Sequence, residues 1–539
     1  MLNLSPGPVA RPWRRAVTSA SARLTVSAPV EWIAVPTTRP ASSRLPGDGG
    51  ATVDALDVAQ RDALSELIRL TPLVDRLGVL FADAGHELFL VGGSVRDALL
   101  GRLGNDLDFT TSARPDDIEA LLRRFSPAVW TIGKEFGTVG CRVTDPASRT
   151  DLIVEVTTFR SDAYAADSRK PAVAFGDTVE GDLLRRDFTV NAMAIELPSR
   201  RFVDPYGGLR HLARKILLTP AEPEISFGDD PLRMMRAARF AAQLSMVPAP
   251  DVVLAMEAMA DRISIVSAER VRDELSKLLL ADDPRPGLDL LVGTGLAAQV
   301  LPELPALQLE RDEHHRHKDV YEHSLTVLDQ AIALEARLPA RPDLVNRLAA
   351  LLHDIGKPRT RRFEAGGKVS FHHHDVVGAK LARKRLTELR YPTDVVKAVC
   401  DLITLHLRFH GYGPGEREDG GWTDSAVRRY VRDAGDQLER LHVLTRADCT
   451  TRNRARAARL SAAYDDLEAR IAVLAEEEEL QSMRPDLDGN QIMEILGIGP
   501  SRLVGQAYAH LLERRIDEGP LGPDRAREEL LAWWASQPH

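Results

Sequence analysis

Residues 86–111 read HELFLVGGSVRDALLGRLGNDLDFTT. Glu87 to Val91 is apolar and short enough for a strand, Gly92-Gly93 makes a tight turn, and Ser94 to Leu100 reads as a helix. The chain returns through Gly101-Arg102-Leu103-Gly104 into a second strand that carries Asp106 and Asp108. Alternate residues of a strand share a face, so these two carboxylates project together and repel unless a cation lies between them. Gly92 and Gly93 let the backbone approach a ligand closely, and the helix N-terminus offers N–H groups to a phosphate. Arg96 adds a positive charge one turn in. A phosphate cradle next to a carboxylate pair suits Mg²⁺, which is held by few carboxylates together with substrate phosphates. Two such ions would activate an attacking hydroxyl and stabilise a pyrophosphate leaving group.

The chain has 539 residues, enough for roughly three or four domains with separate cores. A hydrophobic fraction of 44% and a charged fraction of 28% describe an ordinary globular protein, and no apolar run is long enough to span a bilayer. Cys141, Cys400 and Cys449 are far apart and odd in number, which argues against a disulfide framework and for a reducing, cytoplasmic compartment. The formal net charge of -9 gives no global attraction to nucleic acid, so any such binding must come from local basic faces. Residues 1–52 are rich in Pro, Ser, Ala and Arg and read as a disordered extension, with folded sequence expected from Val53.

Four further motifs follow in order: RRDFTVNAMA (185–194), DPYGG (204–208), DDPLRMMRAARFAAQL (229–244) and SAERVRDELSKLL (267–279). Together with GGSVRD and the D-x-D pair, they resemble the class II tRNA nucleotidyltransferase and bacterial poly(A) polymerase family along nearly the whole chain after residue 60. The resemblance implies Asp106 and Asp108 as the catalytic, Mg²⁺-holding pair. It also implies Gly92, Gly93, Ser94, Arg96, Arg186, Asp187, Asn191, Asp230, Arg233 and Arg236 as nucleotide-binding residues. DPYGG resembles the hinge between head and neck, and the helix after Asp229 the base-reading helix, braced by the helix at 267–279. The family usually opens that base-reading motif with Glu-Asp; here it is Asp229-Asp230, a conservative change. Asp151 and Glu155, both in TDLIVEVTTFR (150–160), stand as alternatives for a third carboxylate.

Asp230 and Arg233 are three apart at a helix start and are expected to share a face. A carboxylate accepts a hydrogen bond and a guanidinium donates. Cytosine and adenine each present an amino donor beside a ring-nitrogen acceptor, so one pair of side chains fits both. Uracil and guanine reverse the pattern and would leave both protein groups unpaired.

The second half changes character. HHRHKDVYEHSLTVLDQAIAL (314–334) places His323 on an amphipathic helix, LLHDIGKPRTRRF (351–363) supplies His353-Asp354, and VLTRADCTTRN (443–453) supplies Asp448. This resembles the HD superfamily of metal-dependent phosphohydrolases, with His323, His353, Asp354 and Asp448 as ligands and His374 and His406 matching further histidines of some members. Imidazoles with carboxylates suit a transition metal such as Mn²⁺, Ni²⁺ or Co²⁺. The segment at 486–515 resembles the family's tail, which grips tRNA.

The fold class expected is α+β. A nucleotidyltransferase head over 53–220, with a polymerase β-like mixed sheet and helices, precedes an all-α neck (221–285), an HD domain (286–460) and a helical, tRNA-binding tail (461–539). The partners implied are tRNA, ATP and CTP, with no membrane, in a monomer or homodimer. The activity implied is template-independent addition of CMP, CMP and AMP to the tRNA 3′ end, with poly(A) polymerase as the alternative. A protein-modifying uridylyltransferase shares the GG, D-x-D and HD order but does not predict RRDFTVNAMA or the Asp230/Arg233 pair.

Overall fold

The computed structural model describes residues 71–145, 149–160, 175–308, 319–364, 368–411, 422–451, 453–478 and 484–537. The extension expected over 1–52 and the start of the folded sequence expected from Val53, up to residue 70, lie outside these residues. The chain divides into two compact units. One runs to Val266 and takes in Pro286–Gln299; the other comprises Ser267–Arg285 and Val300 onward. The expected neck, 221–285, contributes to both.

The first unit contains, in chain order, α1 (Thr71–Asp83), β1 (Leu88–Val91), α2 (Gly93–Leu99), β2 (Asp106–Thr111), α3 (Pro115–Phe125), β3 (Ala128–Trp130), β4 (Thr138–Thr144) and β5 (Asp151–Thr158). Then come α4 (Val179–Leu184), β6 (Ala194–Leu197), β7 (Phe202–Val203), α5 (Gly208–Ala213), β8 (Ile216–Leu217), α6 (Pro223–Asp229), α7 (Leu232–Gln243), β9 (Val247–Pro248) and α8 (Pro250–Met259). Seven strands form one sheet in the order β3-β4-β5-β2-β1-β6-β7. β2 pairs parallel with β5 and antiparallel with β1, so the sheet is mixed and the class is α+β, as expected.

Burial decides which strand sits where. All four residues of β1 are buried, as a central strand requires. β2 alternates at its start: Leu107 and Phe109 enter a core shared with Leu88, Leu90, Val154 and Val156, while Asp106 and Asp108 face outward. Its far end is wholly buried, and the threonines there are satisfied. Thr110 Oγ1 donates to Thr157 O at 3.1 Å, and Thr111 Oγ1 donates to Glu87 O.

The second unit is almost entirely helical. It holds α9 (Ala268–Leu279), then α12 (Val320–Leu334), α13 (Leu344–Leu352) and α14 (Lys357–Thr360); α10 (Arg285–Gly293) and α11 (Leu296–Val300), which come between α9 and α12 in the chain, belong almost wholly to the first unit. A two-stranded hairpin, β10 (Arg362–Glu364) and β11 (Lys368–Ser370), precedes α15 (His374–Glu388), α16 (Thr393–Leu405), α17 (Asp424–Ala434), α18 (Leu438–Ala447) and α19 (Arg454–Glu478). The chain ends in α20 (Gly489–Leu496), α21 (Arg502–Glu518) and α22 (Pro523–Ala535), which enclose a small core around Ile492, Leu511 and Leu530.

α13 leads directly into His353-Asp354, and its placement rests on a buried ion pair. Arg347 donates from Nε and Nη2 to Glu335 at 2.8 Å each, with both side chains about 5% exposed or less. Its Nη1 reaches Leu279 O at 2.7 Å and Ala281 O at 2.6 Å, satisfying carbonyls that the end of α9 leaves over. Arg440 of α18 adds a pair to Asp343 at 2.8 Å, and Asp343 caps α13. Arg347→Met would strand the Glu335 charge, at a cost of about 3–5 kcal/mol. Urea unfolding of this unit should show that loss, and Glu335→Leu added to it should recover at least half. A loss under about 1 kcal/mol would contradict the assignment.

Candidate active sites

The first site lies where α2, β2 and β5 meet. Ser94, in the first turn of α2, donates from Oγ to Asp106 O at 3.2 Å and accepts from Asp108 N at 3.1 Å. One hydroxyl thus ties the glycine turn to the strand bearing the carboxylates. Gly92 has φ of +70°, and a Cβ there would meet Arg186 Nη1 at 2.6 Å. Only glycine takes that backbone conformation cheaply at such a close approach.

The parallel register sets Asp108 beside Glu155 and Asp106 beside Ile153. Glu155 therefore joins Asp106 and Asp108 on one face, whereas Asp151 lies further along, accepting from Thr144 Oγ1 at 2.7 Å. Electrostatics agree. The Asp108 carboxyl is raised above the usual carboxylate range because the surrounding cleft partly desolvates it; Arg186 opposes the rise and Asp106 adds to it. Glu155 is raised by desolvation and then by the charges of Asp108 and Asp106. Three carboxylates crowd one point, and a divalent cation relieves their repulsion.

A second network stands beside the first. Asp187, 8% exposed, accepts from Phe188 N at 2.8 Å, Asn191 Nδ2 at 2.9 Å and Arg236 Nε at 2.7 Å. Burial alone would raise its pKa, but Arg236, Asn191 and Arg233 hold it down at about 2. Arg96 Nη1 donates to Asn191 Oδ1 at 2.6 Å, and Arg96, Arg236 and Arg239 all lie over the Phe240 ring. Arg186 bonds Asp182 at 3.2 Å. The structure thus gathers Gly92, Gly93, Ser94, Arg96, Asp106, Asp108, Arg186, Asp187, Asn191 and Arg236 in one unit. Asp182, in α4 four residues before Arg186, is a partner the motif reading missed.

Asp230 differs from the helical placement expected. It is extended (φ -142°, ψ 100°) and precedes α7, with Pro231 as N-cap. Its Oδ1 accepts from Leu232 N at 3.1 Å. Arg233, 8% exposed, donates from Nη1 to Ser226 O at 3.2 Å and Ser226 Oγ at 2.8 Å, and from Nη2 to Arg185 O at 2.5 Å. Three of its five N–H groups are thus spent on the scaffold, which holds the guanidinium plane still.

The second unit carries the other site. His323 lies on α12, while His353 and Asp448 stand at the C-terminal caps of α13 and α18. His323 Nε2 is 3.0 Å from Asp448 Oδ1, 3.4 Å from Asp354 Oδ2 and 3.4 Å from His353 Nε2. The four expected ligands therefore converge. Burial opposes charge on His353, but Asp354 and Asp448 outweigh it and push its pKa up to about 10. His406 is pushed down to about 4, first by burial and then by His353, and stays neutral. Lys357, not singled out from the sequence, contacts Asp354 Oδ2 at 2.6 Å.

Three family models match the chain: the Poly A polymerase head domain over residues 88–218, the probable RNA and SrmB-binding site of polymerase A over 246–307, and the HD domain over 320–453. An A-adding tRNA nucleotidyltransferase of Deinococcus radiodurans is 34% identical over 83% of this chain and 95% of its own length. A CCA-adding enzyme of Geobacillus stearothermophilus is 39% identical over 67% of this chain and 83% of its own. The structure of the Bacillus stearothermophilus CCA-adding enzyme in complex with CTP superposes with a TM-score of 0.57 at 25% identity, covering 86% of this chain and 98% of that one.

The charge on Asp187 gives a pH test. Its folded pKa of about 2 lies below the ordinary 3.8, so its stabilisation is present above pH 4 and lost as pH falls towards 2. Asp187→Asn should cost about 2 kcal/mol of unfolding free energy at neutral pH. The gap from the parent chain should close over that acid window; a gap constant from pH 7 to pH 3 would contradict the ionic role.

Proposed function

The chain belongs to the class II tRNA nucleotidyltransferase and poly(A) polymerase family, and we propose that it adds CMP, CMP and AMP to tRNA 3′ ends from CTP and ATP. The observation that carries this reading is the carboxylate set Asp106, Asp108 and Glu155 facing a glycine turn tied to it by Ser94. Mg²⁺, when bound by these carboxylates, polarises the reacting phosphate and lowers the pKa of the attacking hydroxyl. The terminal ribose oxygen forms a bond to the α-phosphorus, the α–β bridging P–O bond breaks, and pyrophosphate leaves with that electron pair. Arg186, beside Gly92 and Asp108, supplies positive charge to the phosphates. Asp187 and Asn191 face the sugar, held in place by Arg236 and Arg96.

Base choice falls to Asp230 and Arg233. The carboxylate accepts from the amino group of cytosine or adenine, and the remaining guanidinium donors meet the adjacent ring nitrogen. Uracil and guanine leave both unpaired. The three free cysteines fit a reducing cytoplasm, where tRNA, ATP and CTP meet. Among the described residues no helix is long and apolar enough to cross a membrane.

His323, His353, Asp354 and Asp448 suit Mn²⁺, Ni²⁺ or Co²⁺, and we read the HD unit as a phosphohydrolase. With such a metal the full-length chain should hydrolyse 2′,3′-cyclic or 2′-phosphates, and Asp354→Ala should abolish this while keeping nucleotide addition. No hydrolysis with any of the three metals would leave the unit an RNA-binding body.

The product test offers CTP and ATP, singly and together, to tRNA lacking its terminus. We expect two C from CTP alone, one A more with ATP, and then no growth; Glu155→Ala should slow every step and Asp151→Ala none. The extent of alignment with the A-adding relative favours a second reading, addition of A only to tRNA already ending in CC. Long A-tracts on unstructured RNA would instead indicate a poly(A) polymerase.

A further inference from the structure

Residues 357–363 of the HD unit, KPRTRRF, carry four cations and no acid in a chain whose net charge is -9. Lys357, the first, is held by Asp354 at 2.6 Å. Arg359, Arg361 and Arg362 form no ion pair among the described residues, and Glu364, the next acid along, faces His372 Nε2 at 3.5 Å. Arginines elsewhere in this unit are paired, as Arg385 is with Glu303, Arg440 with Asp343 and Arg446 with Glu468. Like charges left side by side repel, and an anionic partner relieves that repulsion.

The strand that follows is turned outward. β10 is exposed at all three positions, and β10 and β11 make a sheet of their own. Phe363 is 71% exposed, so its ring contributes little to any core. Arg361 lies over that ring with Cζ 4.7 Å from the centroid, which holds guanidinium and ring together as one slab. Pairing with Val369 across the hairpin sets where Phe363 stands. An exposed hairpin of two strands adds little stability to a fold. Its aromatic ring and the unpaired arginines beside it gain most of their interaction energy only when something binds.

A single-stranded nucleic acid meets both demands, because its phosphates pair with guanidiniums and its unstacked bases lie on an aromatic face. A duplex offers phosphates but keeps its base faces stacked, and an acidic peptide offers charge without a flat ring. We propose that Arg359, Arg361, Arg362 and Phe363 form a platform for single-stranded RNA on the HD unit. It lies outside residues 246–307, which match the RNA-binding family model, and outside the tail. The arginines serve the phosphates and Phe363 stacks one base. Every base has such a face, so binding here is independent of sequence. The choice of RNA rests on the nucleotide-addition reading above; the binding itself does not.

The probe is a short oligouridylate carrying 4-thiouridine, offered to the full-length chain. Irradiation and peptide mapping should place a crosslink within residues 359–363 that Phe363→Ala loses. Fluorescence anisotropy should show affinity at least about five-fold weaker in Phe363→Ala. Arg359→Gln, Arg361→Gln and Arg362→Gln together should reduce the slope of log affinity against log salt by about 2, the value for three phosphates of a single strand. Arg359, Arg362 and Phe363 are exposed, so both variants should fold, which circular dichroism checks. Crosslinks confined to other segments, or affinity and salt slope unchanged in both variants, would overturn the platform. Tighter binding of a duplex, weakened by the arginine changes and not by Phe363→Ala, would overturn the single-strand assignment. These readouts use neither nucleotide addition nor hydrolysis, so they fail separately from those activities.

Discussion

Repulsion between the carboxylates of β2 and β5 is the constraint on which the head is organised. Leu107 and Phe109 must enter the core, so Asp106 and Asp108 must leave it on the opposite face. Parallel pairing with β5 then brings Glu155 level with Asp108. A fold that concentrates three negative charges is stable only where positive charge is supplied. Arg186 supplies part of it beside Asp108. The remainder must arrive with the substrate, as cations that accompany a triphosphate. Nucleotide binding and charge neutralisation are then one event, which explains why the glycine turn is tied by a hydroxyl to the very strand that bears the acids.

The HD unit meets the same problem with softer ligands. Asp354 and Asp448 face four imidazoles, and helix ends do the positioning: His353, His406 and Asp448 each stand where a helix stops. A terminal carbonyl left over by the helix accepts the Nδ1 proton, so capping and ligand orientation are a single contact. The Arg347–Glu335 pair anchors α13, the helix that delivers two of these ligands.

Much of this was legible in the sequence, and the failures have physical causes. The D-x-D pair and the adjacent His353-Asp354 are local, so strand period and residue type suffice to find them. Glu155 could not be separated from Asp151 because strand register is a long-range property that depends on which turns and bulges precede it. Asp230 was expected on a helix, yet the residue before a proline is disfavoured in the α region, and Pro231 holds it extended. That signal was present and was outweighed by spacing. His374 and His406 match further histidines of some HD proteins, but what they face depends on helix packing that no single segment encodes.

The central claim is that the β2 carboxylates act through bound cations and not by holding RNA. Single-turnover transfer of CMP to tRNA by the Asp108→Asn chain, measured beside its tRNA affinity, tests it most directly. Loss of several kcal/mol of charge stabilisation predicts a rate at least about 1,000-fold lower with tRNA affinity within about two-fold of the parent. A rate within about ten-fold of the parent, or a fall explained by equally weakened tRNA binding, would contradict the account.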